Sequence, residues 1–110
     1  MRFGIAVDGD QVAPHFGRCE RYELVDVEDG QVLRREAMAN PGHEPGLLPR
    51  LLHEAGVGCL VCGGAGPRAV ALLGQFSIEL VVGVSGPLEK VVQKLAVGEI
   101  VGGDSTCEHG

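Results

Sequence analysis

The sequence predicts an α/β domain built on a five-stranded mixed sheet. The expected strand order is 3-2-1-4-5, with strand 2 antiparallel and helices on both faces. Three observations carry this reading. Residues 2–8, RFGIAVD, alternate Phe3, Ile5 and Val7 with smaller partners, the period of a strand. Two further runs, 20–27 and 31–38, flank Glu28-Asp29-Gly30, and Asp-Gly between apolar runs is a strong hairpin signal. Finally, the apolar runs VGCLVC (57–62) and SIELVVGV (77–84) each lead into a segment with helical spacing. Right-handed crossovers then make strands 1, 4 and 5 parallel, with strand 2 between strands 1 and 3.

Residues 9–19, GDQVAPHFGRC, are rich in turn formers and read as a loop, as does NPGHEPG at 40–46. A helix follows, with Leu47, Leu48, Leu51, Leu52 and Ala55 on one face and Gly56 as its stop. Pro49 fits its first turn, where a missing N–H costs nothing. PRAVALLG (67–74) reads as a short helix, and PLEKVVQKLAVG (87–98) as another with Leu88, Val91, Val92 and Leu95 at helical spacing. No amphipathic pattern continues past Val101. Residues 1–98 are therefore expected to form one domain and 99–110 a flexible tail.

Composition narrows the function. A chain of 110 residues suits one domain, and its 18 glycines imply tight turns or close backbone approaches. Aromatic content of 4% argues against a stacking platform for single-stranded nucleic acid. Nine Lys+Arg against fifteen Asp+Glu, a net charge of −6, disfavours phosphate-backbone binding. A local site for a small anion is still compatible, because local dipoles can oppose a global charge. No run is long enough to span a membrane, and MRFGIAVD enters a strand directly, so the expected setting is cytoplasmic. Four cysteines there are more readily thiols or ligands than disulfides.

The pattern V-x-G-x-x-G-P occurs twice, as VCGGAGP (61–67) and VVGVSGP (81–87). Each copy sits where a buried strand hands over to a helix. Gly66 and Gly86 are candidate N-caps, and Pro67 and Pro87 suit the first helical position. If the two strands are parallel neighbours, both helix starts open on one sheet edge, each with unpaired N–H groups and roughly half a positive charge. Ligands of open α/β sheets bind at that edge. The loop segment His15-Phe16-Gly17-Arg18 should reach the same rim, and so should His43. The expected anion site thus combines His15, Phe16, Gly17 and Arg18 with Gly64, Ala65, Gly66, Pro67, Ser85 and Gly86.

Other motifs carry less. Gly64-Ala65-Gly66-Pro67-Arg68-Ala69 fits a relaxed dinucleotide fingerprint, but it follows the fourth strand and no acid awaits a ribose after the fifth. Cys59-Leu60-Val61-Cys62 resembles a redox pair, yet residues i and i+3 of a strand point to opposite faces. Core thiols are the expectation. Asp8 ends the first strand where a nuclease could place a metal-binding acid, but further converging carboxylates are lacking. Cys107 and His109, two residues apart in the tail, can both reach one metal, although two ligands alone do not make a zinc site.

Taken together, HFGRC, VDVEDG, NPGHEPGLLPRLL, GGAGPRA, GVSGPLEKVV and the terminal CEHG resemble the dinitrogenase iron–molybdenum cofactor biosynthesis family, whose members include NifX, NafY and the NifB C-terminal domain. The resemblance covers nearly the whole chain and is nearest to small stand-alone members. It implies a ribonuclease H-like motif and a non-enzymatic carrier role. The cargo it implies is an anionic metal–sulfur cluster or precursor of iron or molybdenum type, held without a covalent cofactor bond. It also implies cluster-assembly or acceptor proteins as partners. By their own chemistry, the His15 imidazole can ligate a soft metal of the cargo, and Cys107 and His109 are further candidate metal ligands. The alternative is a small-anion or nucleotide-binding regulator using the same edge.

Overall fold

The computed structural model describes residues 1–42 and 46–99. Six strands form one sheet: β1 (Arg2–Asp8), β2 (Gln11–Val12), β3 (Arg21–Glu28), β4 (Gln31–Ala39), β5 (Cys59–Val61) and β6 (Glu79–Val81). Three helices accompany them: α1 (Leu47–Glu54), α2 (Pro67–Gln75) and α3 (Leu88–Ala96). The main path runs β4-β3-β1-β5-β6, with β2 paired to β1 off that path. β3 is antiparallel to both its neighbours, whereas β1, β5 and β6 are parallel.

The sixth strand corrects the expected five. The chain turns back at Gly9, where φ is 62°, and pairs Val12 with Val7. Two residues inside a turn-rich loop are too few for alternation to show. By contrast, the β3–β4 hairpin follows its local chemistry. Asp29 and Gly30 both have positive φ, as a type I′ turn requires.

Alternation along β1 divides the core between the two faces. Phe3, Ile5 and Val7 join Val25, Cys59, Val61 and Val81 under α3, which contributes Leu88, Val91, Val92 and Leu95. On the opposite face, Ala6, Tyr22, Leu24, Leu60, Cys62 and Leu80 pack against Leu48 and Leu52 of α1 and Leu73 of α2. Cys59 and Cys62 thus lie on opposite faces, as the strand period requires. Burying one Leu or Ile side chain stabilises by about 1.5–3 kcal/mol, so these two layers dominate the fold.

All three helices end in the same way. After α1, Gly56 N–H donates to His53 O and Val57 N–H to Leu52 O, at 3.0 Å each, with Gly56 at φ 84°. This is the Schellman arrangement, and it places buried Val57 in the same core layer as Leu52. The same pair of bonds ends α3 at Gly98 and α2 at Ser77, a non-glycine residue held at φ 59°. That ending extends α2 beyond the expected stop at Gly74 and shortens β6 relative to the apolar run 77–84.

The start of α3 is a second correction. Gly86 adopts φ 107° and Pro87 is extended, bridging to Gln11, so Pro87 is the N-cap and Leu88 the first helical residue. In α2 the expected arrangement holds, with Gly66 as N-cap and Pro67 at the helix start. Among the described residues no helix is long and apolar enough to cross a membrane.

Candidate functional site

The segment between β2 and β3 crosses directly over the β5–α2 joint. Gly63 N–H donates to Ala13 O at 3.0 Å, and Phe16 N–H donates to Gly64 O at 2.8 Å. A Cβ at Gly63 would stand 2.8 Å from Pro14 Cα and 2.9 Å from Pro14 O. Only a residue without a side chain lets the two backbones approach so closely.

This crossing holds the segment His15–Arg18 beside the start of α2. Between them lies a cleft of about 470 Å³. Phe16, Gly17 and Arg18 form one wall, Arg68, Ala69 and Leu72 of α2 another, and Gly42, Gly46, Leu48 and Pro49 the third. A second cavity of about 540 Å³ also borders Arg18, lined by Gly17, Arg18, Cys19, Asn40 and Gly42.

Among the described residues, the charged side chains lining the cleft are both cationic, within an acidic protein. Arg18 and Arg68 both line it, and among the described residues neither forms an ion pair. α2 adds its positive end: Gly66 makes no side-chain cap, and the N–H groups of Arg68 and Ala69 meet no acceptor among the described residues. A cation in the first turn of a helix opposes the helix dipole. An anion between the two would relieve that conflict.

The loop itself is firmly held. Gly17, at φ 91°, donates its N–H to Tyr22 Oη at 3.0 Å, and Asn40 Nδ2 donates to Gly17 O at 3.2 Å and Cys19 O at 2.8 Å. The Phe16 and Tyr22 rings lie 5.8 Å apart. Burial, followed by a hydrogen bond with Cys19, pushes the Tyr22 phenol well above its usual range, so it stays protonated. Burial likewise pushes the Cys62 thiol up to about 11 and, with a contribution from Glu79, Cys59 up to about 12. Neither is the lowered thiol that redox chemistry requires.

The cleft therefore gathers Phe16, Gly17 and Arg18 of the expected residues. Gly64, Ala65, Gly66 and Pro67 precede its α2 wall on the same joint without lining it. His15 is exposed and outside the lining, as is Ser85. Gly86 lies at the other joint, where its carbonyl accepts Val12 N–H at 2.9 Å and the neighbouring Leu88 N–H donates to Asp10 O at 2.9 Å. His43, Cys107 and His109 lie outside the described residues. Among the described residues, no group of three or more His, Cys, Asp or Glu side chains is placed to hold a metal ion.

Sequence reasoning overlooked Arg68, Tyr22 and Asn40. Arg68 had a usable signal, because arginine directly after a Gly-Pro helix start is electrostatically misplaced. Tyr22, the one tyrosine of the chain, lies in an apolar run with a hydroxyl that needs a partner. Asn40 had no local signal.

The fold and cleft define a small α/β domain with a cationic recess at the carboxyl edge of a mixed sheet. The chain belongs to the dinitrogenase iron-molybdenum cofactor family, whose model matches residues 1–98. The crystal structure of PH0822 is similar at 30% identity and a TM-score of 0.82, over 89% of this chain and 92% of that one. The apo orange protein from Desulfovibrio gigas shares the fold at 23% identity and a TM-score of 0.77, over 94% and 93% of the two chains. The uncharacterized protein MJ0580 of Methanocaldococcus jannaschii is 24% identical, over 91% of this chain and 89% of its own length.

Proposed function

We propose that this protein is a non-enzymatic carrier for an anionic metal–sulfur cluster or its precursor, held in the cleft between Arg18 and Arg68. The observation that carries this reading is that two arginines line one cleft beside a helix N-terminus in a chain of net charge −6. Family membership supports a cofactor-binding role, with an iron–molybdenum-cofactor-like or other molybdenum or iron sulfide species as cargo. The domain serves as a ribonuclease H-like scaffold, and delivery runs through cluster-assembly or acceptor proteins. The apolar surfaces of Leu48, Pro49 and Leu72 suit a large, weakly hydrated anion better than a small hard one. His15, exposed beside the cleft, supplies an imidazole that can ligate a soft metal of the cargo, and Cys107 and His109 offer further ligands.

Anaerobic titration with tetrathiomolybdate, followed by its visible absorption, tests the reading. Charge-assisted hydrogen bonds contribute about 1.5–3 kcal/mol each. Arg18→Ala and Arg68→Ala should therefore each weaken binding about tenfold or more. His15→Ala should weaken it less. Unchanged affinity in both arginine variants would falsify the cleft as the cargo site.

A further inference from the structure

Arg18 borders both cavities, so the direction of its side chain decides which of them receives its charge. Its neighbour Gly17 sits at φ 91°, a conformation glycine reaches without strain but does not by itself hold. Two side chains supply that hold. The Tyr22 hydroxyl accepts the Gly17 N–H at 3.0 Å, while Asn40 Nδ2 bonds to the carbonyls on either side of Arg18, Gly17 O at 3.2 Å and Cys19 O at 2.8 Å. Asn40 is itself oriented, because its Oδ1 accepts the Gly42 N–H at 2.9 Å. Tyr22 cannot swing away. Its side chain is fully buried, opposite the small Ala6 in the β1–β3 register.

We propose that Tyr22 and Asn40 are positioning residues that clamp the backbone around Arg18 and aim its guanidinium into the cleft. Neither touches the cargo. This inference rests on the cleft being the cargo site, and its test separates the two ideas. Tyr22→Phe keeps the ring and the core while removing only the hydroxyl, and Asn40→Ala removes the double donor. Each variant would be titrated anaerobically with tetrathiomolybdate, alone and combined with Arg18→Ala.

Each single change should weaken binding about threefold to tenfold, within the coupling range of residues that share one network. In the Arg18→Ala background the same changes should alter affinity less than about twofold. The salt dependence of binding in Tyr22→Phe should also fall toward that of Arg18→Ala, and the Gly17 amide should lose hydrogen-exchange protection. A merely structural role would lower the melting temperature yet weaken binding equally in both backgrounds, which overturns the clamp. If Arg18→Ala weakens binding while Tyr22→Phe and Asn40→Ala do not, the clamp fails and the cleft reading stands. If Arg18→Ala is silent, the clamp fails, and the cleft reading falls with it only when Arg68→Ala is silent too. Should Asn40→Ala not fold, the hydroxyl deletion and its double variant decide alone.

Discussion

The two β–α joints share V-x-G-x-x-G-P, but the glycines serve different ends. At the first joint, Gly63 is needed because Pro14 lies against it, while Gly66 has φ −74° and open space where a Cβ would go. At the second, Gly83 and Gly86 have open space too but adopt φ 79° and 107°, so glycine is there for conformation. What crosses each joint differs as well. The segment 13–16 bonds to Gly63 and Gly64 and leaves the α2 start open, whereas Asp10 and β2 cover the α3 start, through Leu88 N–H to Asp10 O and Val12 N–H to Gly86 O. A repeated motif marks a repeated topological position. The chemistry at that position depends on which segment lies over it.

The largest expected effect lies at the close crossing. Gly63→Ala must displace the Pro14 backbone and should cost about 1–3 kcal/mol, the usual range for overpacking. It should also weaken tetrathiomolybdate binding. The matched change Gly66→Ala finds open space for its Cβ and should cost about 1 kcal/mol or less in urea unfolding, the range for replacing an N-cap glycine. Gly86→Ala should come next, losing about 1–2 kcal/mol to backbone strain while leaving anion affinity intact. Affinity loss there would restore the second joint to the site.

A pH effect separates the joints further, because the first has Cys62 where the second has Val82. The folded protein holds the Cys62 proton up to about 11, against an ordinary 9.0 for a thiol. Folded chains thus bind more protons than unfolded ones in that window, and stability falls as pH rises from about 9 to 11. Cys62→Ala should flatten the part of this decline that belongs to residue 62, as measured by denaturation across the window. The smallest effect is expected for Ser85→Ala. Its exposed position outside the cleft predicts unchanged stability and unchanged affinity by calorimetry.

Legibility followed locality. The alternation of Phe3, Ile5 and Val7, the Asp29-Gly30 turn, the Gly56 stop and the Gly66-Pro67 helix start are local rules that the chain obeys. β2 escaped because two residues hold no period, and the α3 start shifted by one because Pro87 bridges to Gln11, a contact no local pattern records. The segment containing Phe16 and Arg18 stood out by its chemistry. Arg68 and Asn40 reach that segment only through tertiary placement, across separations of about 50 and 20 residues in the sequence. Cys59 and Cys62 show the opposite case, in which strand period alone separated two residues that composition would pair.

The cleft walls come from well-separated parts of the chain, namely Phe16–Arg18, Gly42 with Gly46–Pro49, and Arg68–Leu72. A guest touching all of these walls acts as a cross-link between them. Because it binds only when they are assembled, mass action adds its binding free energy to the stability of the fold, about 2.7 kcal/mol at a hundredfold excess over Kd. Loaded and empty protein should therefore differ in melting temperature and in how readily this edge opens to proteases.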